Sequence, residues 1–110
     1  VNTQFKRICT ASPQKTSPTV LTTPGNYAAG PGEQVVIGRA SQSGSWQLTL
    51  PPNPVTGQVF TFKDGARTAA SFNVQFIGQV DGVTNPVFST NGFSRTLIYN
   101  GVEWNVTASA

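Results

Sequence analysis

The sequence has no histidine, no methionine and one cysteine, Cys9, and only 10% of its 110 residues are charged, where an ordinary soluble domain carries about 25%. Each shortage excludes something. Without histidine there is no side chain that titrates near neutrality unless a carboxylate, lysine or cysteine is strongly perturbed, so general acid and base chemistry would fall to four carboxylates: Glu33, Asp64, Asp81 and Glu103. One cysteine forms neither an intramolecular disulfide nor a multi-cysteine metal site. As a nucleophile, Cys9 would lack a histidine partner, and a small, semi-buried thiol is the expected reading, although Lys6 and Arg7 stand near it in sequence. Long apolar runs are missing too. Nothing approaches the ~18 residues that span a bilayer, and Val1-Asn2-Thr3-Gln4-Phe5-Lys6-Arg7 has no apolar signal-peptide core, so synthesis in a cytoplasm, without membrane insertion, is expected.

What charge there is lies unevenly. Lys6, Arg7 and Lys15 fall in the first 32 residues, which contain no acid, while residues 33–110 hold Arg39, Lys63, Arg67 and Arg95 against all four acids. The net charge of +3 therefore belongs to the N-terminal stretch, and the remainder is neutral. Composition changes at the same point. Residues 9–32 pack Pro13, Pro18, Pro24, Gly25, Gly30, Pro31 and Gly32 among serine and threonine, which favours turns and extended chain over helix. Within it only Thr19 to Thr23 offers a short strand, and Thr3 to Ile8 is extended enough to join a sheet edge. Residues 1–32 are accordingly expected to form an extended basic arm, and residues 33–110 a folded domain.

That domain reads as all-β. No segment sustains a helical i, i+3, i+4 pattern, and β-prone runs recur at roughly ten-residue spacing. Trp46, Leu48 and Leu50 alternate with Ser45, Gln47 and Thr49; Phe60 and Phe62 with Val59, Thr61 and Lys63; Phe72, Val74 and Phe76 with Asn73 and Gln75. One set faces a core and the other, rich in Thr, Gln, Asn and Ser, faces solvent. Glu33 to Ile37 supplies a further strand and Val87 to Ser89 a shorter one; Pro51-Pro52-Asn53-Pro54 stops the Trp46 strand. Asn100-Gly101 predicts a two-residue type I′ hairpin pairing Leu97 to Tyr99 with Val102 to Trp104, since both central residues must adopt φ > 0. Seven or eight strands in an antiparallel, jelly-roll-like β-sandwich are expected, with an irregular two-sheet sandwich as the alternative.

The remaining motifs point to structure rather than chemistry. Asp64 and Asp81 each precede glycine, where an aspartate commonly caps a turn, and a shared Ca²⁺ between them would need six to eight oxygens that no acidic cluster supplies. The aromatics alternate with uncharged polar residues rather than with Lys and Arg, which argues against a nucleic-acid stacking platform despite a pI of about 9.5. Trp46 and Trp104 sit in core-facing register, which disfavours sugar stacking; Asn105-Val106-Thr107 matches a glycosylation sequon but reads as strand. No cofactor, metal or catalytic residue is expected.

The order of these elements carries a resemblance. From Gln34 to Thr107, Trp46-Gln47-Leu48-Thr49-Leu50-Pro51-Pro52, Gly57-Gln58-Val59-Phe60-Thr61-Phe62-Lys63-Asp64-Gly65, Val80-Asp81-Gly82 and Leu97-Ile98-Tyr99-Asn100-Gly101-Val102-Glu103-Trp104-Asn105-Val106 resemble a β-structured module of tailed-bacteriophage virion proteins. The module occurs in tail fibres, appendages and some capsid decoration proteins. With no long shaft in the chain, the likeness is strongest to the small decoration or staple proteins, those of epsilon-group Salmonella podophages in particular. That resemblance implies a jelly roll on the outer capsid surface, symmetric association with a dimer favoured, the major capsid protein as partner, and stabilisation of the shell against packaged DNA. It brings no catalytic residue. In such a role Phe5, Lys6, Arg7, Ile8 and Lys15 are the expected capsid-binding residues, the arm adding a strand to the coat or to a sister copy while its charges make attachment salt-sensitive. A tail-associated module binding a host surface or carbohydrate is the alternative.

Overall fold

A computed structural model describes residues 18–110. No described residue is helical. The first six strands are β1 (Thr19–Leu21), β2 (Tyr27–Ala28), β3 (Val35–Gly38), β4 (Trp46–Thr49), β5 (Val59–Asp64) and β6 (Val74–Ile77). They are followed by β7 (Gln79–Val80), β8 (Val83–Thr84), β9 (Val87–Phe88), β10 (Ser94–Tyr99) and β11 (Trp104–Ser109). They form a seven-stranded sheet, ordered β1-β3-β5-β10-β11-β7-β8, and a four-stranded sheet, ordered β2-β4-β6-β9.

The first six strands alternate between the sheets. Odd strands enter the larger sheet and even strands the smaller, so the chain makes three successive turns of a coil and lays one strand in each sheet per turn. A strand that returns to its own sheet after crossing the other arrives in the same direction, hence parallel. In register, Thr19 lies beside Val36 and Val36 beside Phe62, while Tyr27 lies beside Leu48 and Leu48 beside Phe76. Past β6 the path reverses. β10 returns antiparallel between β5 and β11, β9 closes antiparallel on β6, and the β7–β8 hairpin finishes the large sheet.

The all-β sandwich expected from the alternation is present, but its pairing is mixed: five of nine strand pairings are parallel, unlike the antiparallel, jelly-roll-like arrangement expected. Alternation of apolar residues is the same in both kinds of ladder, so strand direction was invisible in it. Eleven strands replace seven or eight because β2, β7, β8 and β9 have only two residues each. The short strand expected within Thr19 to Thr23 is β1, in the large sheet, and β2, which the Pro- and Gly-rich pattern did not announce, joins the small one, so residues 18–32 contribute a strand to each sheet.

Between the sheets lies one aromatic core. Phe60, Phe62, Leu97 and Trp104 project from the large sheet against Trp46, Leu48, Val74 and Phe76 of the small one. Phe62 is its hub, with ring centroids 5.7 Å from Trp46, 5.7 Å from Phe76 and 5.5 Å from Phe93, spacings at which edge-on and tilted pairs attract. Phe72, expected on the core face of its strand, is half-buried and precedes β6, its backbone N–H donating to Thr68.

The terminal hairpin also departs from expectation. Tyr99 faces Trp104, so the connection has four residues, Asn100 to Glu103, and Val102 stands 83% exposed. The Asn100 side-chain oxygen accepts from the backbone N–H groups of Val102 (2.8 Å) and Glu103 (2.9 Å), and only Gly101 of the central pair has positive φ. An asparagine that engages the following backbone in this way competes with the type I′ geometry. The pairing slips by two residues, and because side chains alternate with period two, Trp104 still enters the core.

Candidate functional site

Phe5, Lys6, Arg7, Ile8 and Lys15 lie outside the described residues, as does Cys9. The functional geometry of the body therefore begins with its charges. All four acids of the chain are held by hydrogen-bond donors of the fold. Glu33 is 5% exposed and accepts from Tyr27 Oη (2.9 and 3.0 Å), from the Gly30 backbone N–H (2.9 Å) and from Thr19 Oγ1, which ties β1, β2 and the approach to β3 together. Burial raises the Tyr27 phenol above its ordinary value of 10.0, helped by the hydrogen bond to Glu33 and its negative charge. Asp64, 4% exposed, accepts from the backbone N–H groups of Ala69 and Gly92, each at 3.0 Å, and so links the loop after β5 to the loop before β10.

Asp81 and Glu103 act at another corner. Asp81, at φ 48°, accepts from Asn105 Nδ2 (2.9 Å) and the Val106 N–H (3.3 Å), and Glu103 accepts from the Gly82 N–H (2.7 Å). The two aspartates thus serve different loops, and among the described residues no three His, Cys, Asp or Glu side chains gather as a metal site. None of the four carboxylates pairs with a Lys or Arg of the described residues.

Of the four bases among the described residues, three are exposed and Arg95 is half-buried. Arg95 lays its guanidinium 5.0 Å from the centre of the Phe88 ring and 5.5 Å from that of Phe93, a cation–π placement at the edge of the core. Arg39, Lys63 and Arg67 are exposed and surround one turn. A methyl group on Gly65 would fall 2.8 Å from Ile37 Cγ2 and 3.0 Å from Arg39 Cγ, so glycine is what lets those side chains close over the turn. On its other side, Lys63 Nζ donates to the Gly92 carbonyl, and a β-carbon on Gly92 would lie 3.8 Å from Arg67 Cγ. This basic corner ends the outer face of the large sheet.

That face is the feature that sequence reasoning missed. Its cross-strand rows run Val20–Ile37–Lys63, then Val35–Thr61–Thr96, then Val59–Ile98–Asn105. Five of these residues are Val or Ile, with Val20 41% and Val59 39% exposed; the outer face of the small sheet presents Gln47, Thr49 and Gln75 beside Ala28, Ile77 and the exposed Val87, and carries no charge. A signal was present, because Val35, Ile37, Val59 and Ile98 occupy alternate positions to the core residues Val36, Phe60 and Leu97.

Hollows are shallow. One of about 310 Å³ lies along β1 and β2 between Val20 and Tyr27, beside the edge of both sheets where the coil begins. Another of about 270 Å³ is lined by Ser45, Gln47, Asn73 and Gln75 among others, with Gln47 Nε2 donating to Gln75 Oε1 at 3.3 Å. Trp46 and Trp104 are buried in the core and offer no ring to a sugar.

These features define a class: an all-β sandwich of two sheets with open faces and edges and, among the described residues, only shallow hollows. Comparison with known proteins finds no matching family model and no match among curated proteins.

Proposed function

We propose that this protein is a decoration protein of a tailed-bacteriophage capsid, a rigid β body that attaches to the outer surface of the major capsid protein and braces the shell against internal DNA pressure. One observation carries the reading most: the partition of charge. Every carboxylate is engaged within the fold, Arg39, Lys63 and Arg67 are left facing outward, and Lys6, Arg7 and Lys15 precede the body in an acid-free stretch. Such a molecule offers exposed cations to an acidic shell, while its carboxylates are buried or tied to N–H donors at loop corners. Stapling needs repeated modest contacts, which sheet edges and an N-terminal segment bearing Phe5 and Ile8 beside Lys6 and Arg7 supply through main-chain hydrogen bonds and apolar side chains. A homodimer on a two-fold position belongs to the reading, since a two-fold contact uses the same surface of both copies. A catalytic role, a nucleic-acid partner and a membrane partner are not part of the proposal.

Deleting residues 1–15 is expected to abolish or sharply weaken co-sedimentation with mature heads while the circular dichroism of the fold persists. Unchanged attachment would remove the N-terminal segment from the binding role. The second reading, a tail-associated carbohydrate-binding module, has the amide-lined hollow around Gln47 and Gln75 in its favour. Retention of the isolated protein on host-surface glycans, lost with Gln75→Ala, would establish it instead.

A further inference from the structure

We propose that the outer face of the seven-stranded sheet is a docking face for an acidic protein surface, its aliphatic rows covered by the partner and its Arg39–Lys63–Arg67 corner set against partner carboxylates. The inference rests on the capsid reading for the identity of that partner, the outer surface of the coat protein. It starts from the contrast between the two outer faces. Both are built from the off-core positions of strands; the small sheet places Gln47, Thr49 and Gln75 there beside Ala28, Ile77 and Val87, with no charged residue among them. The large sheet places Val20, Val35, Ile37, Val59 and Ile98 there across four strands and adds Lys63 beside Ile37, so that only this face combines an aliphatic surface with cations. A contiguous aliphatic face with a polar rim is the usual composition of a protein interface.

Charge specifies the partner. Arg39, Lys63 and Arg67 crowd around one turn, and no carboxylate among the described residues pairs with them, because Asp64 beneath is taken by the N–H groups of Ala69 and Gly92. Carboxylates on a docked surface relieve that repulsion, and in a partly desolvated contact salt screens them less than in water. A nucleic acid would offer the same negative charge, but the large exposed apolar side chains of the described residues are all valines, which give bases nothing to stack on. At the far end of the face Asp81, bonded to Asn105, adds a corner of opposite sign that orients the partner.

The test uses the full chain and heads of the virus that carries it, prepared without it, with bound protein measured by sedimentation over a salt series. Wild type is compared with Arg39→Glu/Lys63→Glu, with Val59→Lys, and with Thr49→Glu on the opposite outer face; melting curves verify each fold, and the neutral pair Arg39→Gln/Lys63→Gln serves if the charge reversal does not fold. Wild type and Thr49→Glu are expected to bind alike and to weaken as salt rises. The double reversal is expected to lose at least about tenfold in affinity together with most of the salt dependence, and Val59→Lys to lose affinity while keeping it. Wild-type binding that survives both face substitutions overturns the docking face and leaves the capsid reading standing. Failure of wild type to sediment with heads overturns the capsid reading and the coat as occupant together. Binding of wild type to duplex DNA that the same substitutions abolish would assign the corner to a nucleic acid and overturn the proposal.

Discussion

Glu33 gathers the first turn of the coil through a single carboxylate. Its partners come from β1, β2 and the turn before β3, so one side chain ties three segments together. The phenol of Tyr27 shares that environment, and its raised pKa has a consequence for stability at alkaline pH. The folded state holds this proton more tightly than the unfolded chain does, whose phenol titrates near 10.0; the contribution is complete below that value and declines as pH rises through the higher folded pKa. Wild-type stability, followed by denaturant titration from neutral to strongly alkaline pH, is expected to fall above 10.0 more steeply than that of Tyr27→Phe. Parallel pH profiles would show that the phenol is not held by this site. Nothing in the sequence around Glu33 announced the role: its partners lie 14, 6 and 3 residues away along the chain, and only the coil brings them together.

Among elements, the β10–β11 hairpin shows how a correct pairing and a wrong turn coexist. Alternation placed Val102 opposite Tyr99 and inside; the four-residue connection leaves it in solvent while Trp104 keeps its place. Val102→Ala is therefore expected to change stability by no more than about 0.5 kcal/mol, as exposed substitutions do. Asn100→Ala, which removes the acceptor of two backbone N–H groups, is expected to cost about 1 kcal/mol by thermal or chemical denaturation. The reverse ranking would restore the two-residue turn. The same limit applies to the parallel strands. Val36 beside Phe62 and Leu48 beside Phe76 are pairings across 26 and 28 residues, and periodicity within one strand carries no information about which distant strand becomes its neighbour.

On the scale of the whole molecule, the coil runs from an open start at β1 and β2 to a centre at β5 and β10, where the aromatic core is densest. Protection should follow that gradient. Native-state hydrogen exchange is expected to find the slowest amides in β5 and β10 and the fastest in the edge strands β8 and β9, since edge strands open without breaking the core. Uniform protection would mean that the coil opens only as a unit. The same architecture separates charge by place: structural carboxylates inside or at loop corners, cations on one outer face, uncharged amides and aliphatic side chains on the other.

The class of fold and the membership of most of the core were legible in the chain alone, because period-two alternation selects one face of a strand whichever way its neighbours run; Trp46, Leu48, Phe60, Phe62, Val74, Phe76, Leu97 and Trp104 are all buried as that pattern requires. The sequence also showed that charge is scarce and skewed. The direction of the strands, the coil that makes β1, β3 and β5 neighbours, and the gathering of Arg39, Lys63 and Arg67 beside valines and isoleucines arise in the packed molecule. Those are relations between residues far apart in the chain, set by how the two sheets close over one core, and no local pattern encodes them.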